Sequence, residues 1–253
     1  PTPILQLSGR GDYSRVGTAI ATGGDLDGDG YADVLVGNPL EPNVAGAGGV
    51  TLYFGTWNGV TGITPLVGML DGEHLGASVA TAGDFNGDGL AEVLAGCPDY
   101  GIGGLAKEGR VVSYIVGVPL PTLIVNAPLI ASQPATYFGN SLAILPHCDI
   151  SFLPAFLIGE PSYPDPVPNS GRVLLYHGTM NAIQTPQAHT YTPTVDGELF
   201  GAVVADAGDV DRDGYTDFVT TSPGYTSGGL TERGRAQLYL GTGSGLSPGA
   251  SPW

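Results

Sequence analysis

The stretch 24–39, "GDLDGDGYADVLVGNP", joins an acidic, glycine-rich loop to a short apolar run and a proline turn. Four carboxylates fall within nine residues of the loop, and without a counter-ion they would repel one another. The run after the loop, "VLV", is apolar and rich in β-branched residues, which favours a strand over a helix. The stretch therefore predicts a cation-binding loop that leads into a buried strand.

The same pattern recurs four times along the chain. Counting back 14 residues from the proline of each turn gives anchor residues spaced by 59, 63 and 62 positions. These anchors are Asp25, Asp84, His147 and Asp209. An apolar–Gly pair precedes each anchor, at Val16-Gly17, Leu75-Gly76, Phe138-Gly139 and Phe200-Gly201. The chain is therefore predicted to consist of four units of about 60 residues each.

Each unit contains about four strand-length segments and no stretch of helical period, which predicts an all-β fold. Four antiparallel strands repeated at a fixed period are typical of a β-propeller blade. We expect one propeller domain over residues 1–253. Its four blades are expected at about 9–70, 71–131, 132–195, and 196–253 with 1–8. The N-terminal "PTPILQL" is predicted to complete the last blade, although a place in a longer array or an assembly of two copies would also suit the pattern.

The acidic loops offer oxygen ligands at loop positions 1, 3, 5 and 9, with glycine at position 6 and a backbone carbonyl at position 7. Such hard ligands, without Cys or His, suit Ca²⁺ better than Zn²⁺ or copper, and Mg²⁺ prefers to keep several waters. The predicted calcium ligands of the first loop are Asp25, Asp27, Asp29, Tyr31 and Asp33. Those of the second loop are Asp84, Asn86, Asp88, Leu90 and Glu92. Those of the fourth loop are Asp209, Asp211, Asp213, Tyr215 and Asp217.

Two other interpretations of these loops are less consistent with the sequence. An EF-hand requires Glu at position 12, where this chain has Val36, Ala95 and Thr220. Asp-rich turns are common because Asp and Gly suit turn geometry, but three in phase with an acid at position 9 are not explained by this. The third loop, 147–155 "HCDISFLPA", has lost three ligating features, and we expect it to hold no calcium.

The chain carries a formal net charge of −16, which disfavours nucleic acids and anionic membranes as partners. Its loops contain 11 carboxylates, so three Ca²⁺ ions would offset 6 of these charges. No apolar run is long enough to span a membrane, and the start at Pro1 without Met suggests a processed or excised domain. Cys97 and Cys148 form no metal motif and are expected on opposite faces, so no disulfide is predicted.

The repeats resemble the FG-GAP repeat of integrin α-subunit propellers and of bacterial secreted proteins. The resemblance rests on Phe138-Gly139 and Phe200-Gly201, on Gly37-Asn38-Pro39 and Gly96-Cys97-Pro98, and on the D-x-[DN]-x-[DN]-G-x-x-[DE] loops. It implies a propeller with calcium loops between the first two strands of a blade. The family ring usually has seven blades, whereas four are counted in this chain.

Other motifs favour structural interpretations. The tripeptide Arg10-Gly11-Asp12 falls on a loop position that recurs in the other repeats, and the four histidines match no catalytic motif. The acid pairs Asp71/Glu73 and Asp196/Glu198 also recur at one repeat position, which argues for architecture rather than glycosidase chemistry. Tyr100, Tyr163 and Tyr225 recur after the proline turns, where they either contribute to a ligand surface or pack between blades.

The sequence thus predicts a calcium-binding, non-enzymatic, extracellular or cell-surface propeller for adhesion or recognition. A protein or glycan ligand is expected on the face opposite the calcium loops, with self-association possible. Two alternatives remain open: a glycan-binding lectin of the same fold, and the propeller fragment of a larger secreted hydrolase.

Overall fold

The computed structural model describes most of the chain between residues 6 and 242. The described residues are 6, 8–9, 14–22, 24–41, 46–81, 83–101, 107–117, 122–125, 129–131, 133–148, 154–165, 167–179, 182–183, 189–193 and 195–242. No helix occurs among them, and therefore none that could span a membrane. The tripeptide Arg10-Gly11-Asp12, and most of the N-terminal segment expected to complete the last blade, lie outside the described residues, so those predictions remain untested.

Within the described residues, seventeen strands form four antiparallel sheets in chain order. The first sheet contains β1 (Ala19–Thr22), β2 (Val34–Gly37), β3 (Gly49–Thr56) and β4 (Gly59–Val67). The second contains β5 (Ser78–Thr81), β6 (Val93–Cys97), β7 (Arg110–Gly117), β8 (Thr122–Val125) and β9 (Leu129–Ile130). The third contains β10 (Ser141–Leu145), β11 (Ala155–Glu160), β12 (Arg172–Thr179), β13 (Ala182–Ile183) and β14 (His189–Tyr191). The fourth contains β15 (Val204–Gly208), β16 (Asp217–Ser222) and β17 (Arg235–Tyr239).

The outer strand of a sheet differs from one repeat to the next. It is continuous in the first sheet, as β4, but in the second and third sheets two short strands share one partner strand. In the fourth sheet, the described residues provide no strand beyond β17.

Neighbouring sheets pack face to face in the order of the chain. The first strands β1, β5, β10 and β15 contact one another in sequence, and an apolar cluster fills each of the three interfaces, which we call junctions. Isolated parallel bridges also tie each third strand to the apolar–Gly pair of the next sheet: Gly48 to Leu75, Gly109 to Phe138, and Gly171 to Phe200. This confirms the predicted all-β propeller architecture, in which the described residues do not close a ring.

The antiparallel order places the acidic loops and the proline turns at opposite ends of the sheets. The loop between the first and second strands holds the acidic residues, as 23–33 does between β1 and β2. The proline turn joins the second strand to the third, as 38–48 does between β2 and β3. The two expected faces of the propeller, one acidic and one carrying the recurring tyrosines, are therefore separate surfaces.

Each recurring tyrosine lies under an arginine that opens a third strand. The guanidinium carbon of Arg110 is 4.4 Å from the ring centre of Tyr100, that of Arg172 is 3.5 Å from Tyr163, and that of Arg235 is 4.1 Å from Tyr225. Cation–π contact in a partly desolvated site stabilises such a pair. Of the two interpretations of these tyrosines, the stacking favours the structural one.

A buried glutamate neutralises each of these arginines, but its position in the repeat changes. Arg110 pairs with Glu73 at 2.6 Å, and Arg235 pairs with Glu198; both acids lie just before an apolar–Gly pair. In the third sheet that position is Thr136, and Arg172 pairs instead with Glu160, at the end of the second strand. The second and fourth sheets have Cys97 and Ser222 at the position of Glu160. The charge pair is thus kept while the acid moves between two places that reach the same arginine.

Moving the acid of the third sheet from position 160 to position 136 tests whether either position can supply the partner of Arg172. Glu160→Ser should destabilise the protein by about 3–5 kcal/mol, because it leaves the guanidinium of Arg172, whose side chain is only 13% exposed, without its acid. Adding Thr136→Glu should restore most of the loss, since the acid then stands where Glu73 and Glu198 stand. Chemical denaturation of the single and double variants measures both effects. Thr136→Glu alone should bring no gain, because two carboxylates would share one arginine. A double variant as unstable as Glu160→Ser would contradict the compensation.

Candidate metal centres in the acidic loops

The carboxylate at position 1 organises each acidic loop. Asp25 accepts hydrogen bonds from the backbone N–H groups of Gly28, Asp29 and Gly30 at 2.7, 3.0 and 2.8 Å. The glycine at position 6 has a left-handed backbone, with φ of 88° at Gly30. Equivalent bonds reach Asp84 from Gly87, Asp88 and Gly89, and Asp209 from Asp213 and Gly214. The spacing of Asp and Gly seen in the sequence is therefore that of one compact turn, used three times.

Positions 3, 5 and 7 continue the turn. Asp27 accepts a hydrogen bond from the N–H of Asp29 at 3.2 Å, and Asp29 accepts one from the N–H of Tyr31 at 2.9 Å. The corresponding pairs are Asn86 with Asp88, Asp88 with Leu90, Asp211 with Asp213, and Asp213 with Tyr215. These backbone bonds use one oxygen of each side chain, and in the second loop the other oxygen of Asp88 accepts from the side-chain amide of Asn86 at 3.0 Å. Each carboxylate oxygen has two lone pairs, so these oxygens can still bind a cation.

The acid at position 9 ties the loop to the body of its sheet. Both oxygens of the buried Asp33 accept backbone hydrogen bonds, from Leu26 at 2.7 Å and from Gly55 on β3 at 2.8 Å. Asp217 makes the same two bonds, with Val210 and Gly241. In the second loop, the longer Glu92 accepts from the N–H of Phe85 and from the side-chain amide of Asn86. Position 9 therefore has a structural role in addition to any role as a ligand.

In the part of the chain that the structure describes, three groups of acidic side chains converge closely enough for each group to share one ion. In each group, the ligand atoms lie within 4.8 Å of one another. The groups are Asp25, Asp27 and Asp29; Asp84, Asp88 and Glu92; and Asp209, Asp211 and Asp217. The structure thus brings together acids from all three predicted loops, and the donors of these groups are carboxylate oxygens, which suit a hard divalent cation.

The electrostatics of these loops disfavour the fully charged state when no cation is present. Burial raises the pKa of Asp27, and the charges of Asp29 and Asp25 act in the same direction. Burial likewise raises the pKa of Glu92 to about 8, with a further contribution from the charges of Asp88 and Asp84. A divalent cation among these carboxylates would offset both the repulsion and part of the lost solvation.

The residue at loop position 2 anchors the first three loops in the junction with the next sheet. Leu26 and Phe85 are fully buried in the first and second junctions, and Cys148 is fully buried in the third. Sequence reasoning assigned no role to Cys148, although its phase with Leu26 and Phe85 was a signal that could have found one. Cys97 and Cys148 are both buried and are not joined in a disulfide, and burial raises the pKa of Cys97 to about 12.

Backbone hydrogen bonds link acidic loops of neighbouring sheets. The carbonyl of Asp25 accepts a bond from the N–H of Ala91 at 3.0 Å, and the carbonyl of His147 accepts one from Thr216 at 2.8 Å. The corresponding residue of the third loop is Pro154, which has no N–H to donate. His147 is therefore a structural member of this chain of loops. The residues 149–153 of its loop lie outside the described part, so the expectation of an empty third loop remains a prediction.

The opposite face contains a polar cavity beside the second sheet. Its volume is about 330 Å³, and its lining includes Asp71, Glu73, His74, Asp99 and Lys107. Nδ1 of His74 lies 2.5 Å from one oxygen of Asp99, and Nζ of Lys107 lies 3.2 Å from the other. Sequence reasoning assigned His74 only to a surface turn and did not identify this cluster, because Asp99 and Lys107 are distant from His74 along the chain.

A family model described as FG-GAP repeat matches the chain at residues 16–53, 75–114 and 201–239. Each match runs from the apolar–Gly pair to the third strand, and together they cover the three sheets with acidic groups close enough to share an ion.

Three relatives illustrate the wider similarity. Integrin alpha pat-2 of Caenorhabditis briggsae is 28% identical over 221 residues, which are 81% of this chain and 18% of that protein. Integrin alpha-8 of Mus musculus is 32% identical over 182 residues, 70% of this chain and 16% of that protein. Integrin alpha-V of Gallus gallus is 28% identical over 187 residues, which are 72% of this chain and 17% of that protein. The chain thus spans less than a fifth of the length of these relatives. The repeat period, the loop geometry and these matches show that the chain contains three FG-GAP repeats and is similar to integrin α subunits.

Proposed function

We propose that the chain is a calcium-binding, non-enzymatic propeller module that serves adhesion or recognition outside the cell or at its surface. The observation that carries the calcium part is the convergence of carboxylates within 4.8 Å at the same position of three sheets. The likeness to proteins named as integrin α subunits supports the adhesion part. Calcium at millimolar extracellular concentration is sufficient for sites of this oxygen-ligand type.

In this proposal, calcium acts as a staple and not as a catalyst. A cation in the first loop would fix Asp25, whose carbonyl is bonded to Ala91 of the next sheet, and Leu26, which is buried in the first junction. The second loop has a similar anchor in Phe85. Ordering an acidic loop therefore orders the junction beside it, so calcium binding and propeller stability are coupled.

The proposed ligand surface is the face opposite the acidic loops, and its ligand is a protein or a glycan. Arginine side chains stack on the recurring tyrosine rings, so these rings are not available to a ligand. The cavity beside His74 is therefore the strongest candidate for the site that contacts a ligand. Its mixture of carboxylates, an imidazole and an ammonium group suits a polar ligand that offers both donors and acceptors.

Removal of calcium should lower the unfolding temperature. Calcium at 100 times its dissociation constant stabilises a protein by about 2.7 kcal/mol per site. Calorimetric scans with calcium, with EDTA and with magnesium measure the effect, and titration gives the number of ions, which we expect to be three per chain. An identical melt with and without EDTA would rule out the proposal.

Two substitutions in the first loop separate the ligand role from the structural role. Asp27→Asn should lower the unfolding temperature in calcium but leave it unchanged or higher in EDTA, since it relieves repulsion among carboxylates. Asp33→Asn is the matched control. It should destabilise by about 1–3 kcal/mol in both conditions, because one of two buried backbone donors loses its acceptor. Equal behaviour of the two variants in EDTA would contradict this division of roles.

The recognition part is tested with arrays of glycans and of extracellular-matrix proteins. Asp71→Ala, in the wall of the cavity, should reduce binding at least tenfold. Asp165→Asn, an exposed acid on the same face but outside the cavity, should have no effect. Failure to bind any sugar or matrix protein would count against recognition while leaving the calcium sites intact.

A further inference from the structure

A glycine at the end of the second strand controls how closely the next sheet approaches. A Cβ atom placed on this glycine would lie 2.1 Å from a backbone carbonyl oxygen of the next sheet. The three such contacts are Gly37 with Gly76, Gly96 with Gly139, and Gly159 with Gly201. Because the blocking atom is backbone, it cannot move aside as a flexible side chain would. All three junctions of the structure therefore require glycine at this position.

The fourth sheet has Thr221 at the equivalent position. In the second and third sheets, the glycine pairs with a serine of the first strand, Gly96 with Ser78 and Gly159 with Ser141. In the fourth sheet, Thr221 pairs with Val203 through a backbone bond from its N–H to the carbonyl of Val203. A following sheet packed as in the other junctions would place its carbonyl oxygen where the side chain of Thr221 begins.

The residue paired with the glycine differs as well. The hydroxyl groups of Ser78 and Ser141 donate to the carbonyls of Gly139 and Gly201 in the next sheet, at 2.6 and 2.9 Å. The fourth sheet has Val203 instead, which cannot donate this bond and is 56% exposed. The anchor of its acidic loop, Val210, is 52% exposed, whereas Leu26, Phe85 and Cys148 are fully buried. The first sheet forms its junction with Ala19 at the serine position, so the hydroxyl is not required, and two repeat positions, Thr221 and Val210, distinguish the outer face of the fourth sheet from a junction face.

The first strand of the first sheet, β1, has an exposed face that could accept a neighbouring sheet. Ile20 on β1 is 64% exposed, whereas its equivalents Val79 and Val204 are only 8% and 5% exposed and Leu142 is half-buried, because a preceding sheet covers them. A Cβ atom on Gly17 would meet no atom within 4 Å, but on Gly76 it would meet a carbonyl of the preceding sheet at 2.2 Å. On the second and third strands of the first sheet, Val36 and Tyr53 are buried, so the uncovered region lies at β1. At β1 the first sheet therefore has a small and an apolar residue, Gly17 and Ile20, at positions that the preceding sheet covers in the later sheets.

We propose that the β1 side of the first sheet is an interaction surface for a further sheet of this repeat type, which carries glycine at the position of Thr221. The fourth sheet of this chain, or of a second copy, does not fit there, because its Thr221 would meet the carbonyl of Gly17. The inference depends on junction geometry alone and is independent of calcium binding and of the ligand.

The test supplies such a sheet and measures whether it covers Ile20. A copy of residues 71–127, which carries Gly96, is joined ahead of Pro1 of the full chain. The reporter is Ile20→Cys, read by its rate of reaction with a water-soluble maleimide, since the native Cys97 and Cys148 are buried. We expect the added sheet to slow labelling at least tenfold. The matched control carries Gly96→Thr in the added copy only, and should label as fast as the chain without an added sheet.

Three results would overturn the inference. If the added copies with Gly96 and with Gly96→Thr slowed labelling of the introduced thiol equally, the glycine would not be needed for the contact. Protection of the introduced thiol in the unextended monomer would show that the fourth sheet of the same chain covers it. Protection that rises with protein concentration, together with a dimeric mass, would identify a second copy as the occupant.

The chain itself provides a second measurement that does not depend on the fusion. Gly96→Thr inside the second junction should lower the unfolding temperature by roughly 5 °C or more for a chain of this size. Thr221→Gly, at the equivalent position of the fourth sheet, should change it by less than about 2 °C beyond the general cost of glycine in a strand. Similar losses in the two variants would contradict the distinction between the two faces.

Discussion

The close packing of one sheet on the next is the constraint on which the rest of the structure depends. A single sheet has two large faces and buries neither by itself, so every apolar cluster of the core lies between sheets. The approach is set by backbone atoms, as at Gly96 and Gly139, and leaves no room for even one methyl group. Glycine at the end of the second strand is therefore a requirement of the neighbouring sheet and not of its own strand.

The acidic loops and the junctions form one system. In the first three repeats, position 2 of the loop projects into a junction. Position 9 of each acidic loop fastens the loop to its own sheet, and the carbonyl at position 1 accepts a bond from the next loop in two of the three junctions. Charge repulsion among the carboxylates opposes this arrangement, as the raised pKa of Glu92 indicates. A divalent cation would remove that opposition, so the proposed metal sites would act on the stability of the whole array.

Much of the fold could be predicted because its signals are local and repeated. Alternating apolar residues, the apolar–Gly pairs and the proline turns recur in phase, so four sheets of antiparallel strands could be read from them. The acidic loops were equally clear, since all ligands of one loop lie within nine residues. The Arg–Glu pairs were not foreseen, because Glu73 and Arg110 are far apart in sequence and the acid of the third sheet moves to Glu160. The cluster of His74, Asp99 and Lys107 was missed for the same reason.

By itself, the sequence determined the repeat, the strand order within a repeat and the residues of each acidic loop, because these depend on chemistry between near neighbours in the chain. Only the tertiary structure decided how each repeat packs against the next. It showed that carbonyls of the next sheet leave no room for a side chain at Gly37, Gly96 and Gly159, and that Thr221 stands where such a carbonyl would have to lie. It also placed the recurring tyrosines beneath arginines instead of leaving them free for a ligand. Contacts between sheets join residues about one repeat apart, and a one-dimensional pattern does not specify which atoms meet there.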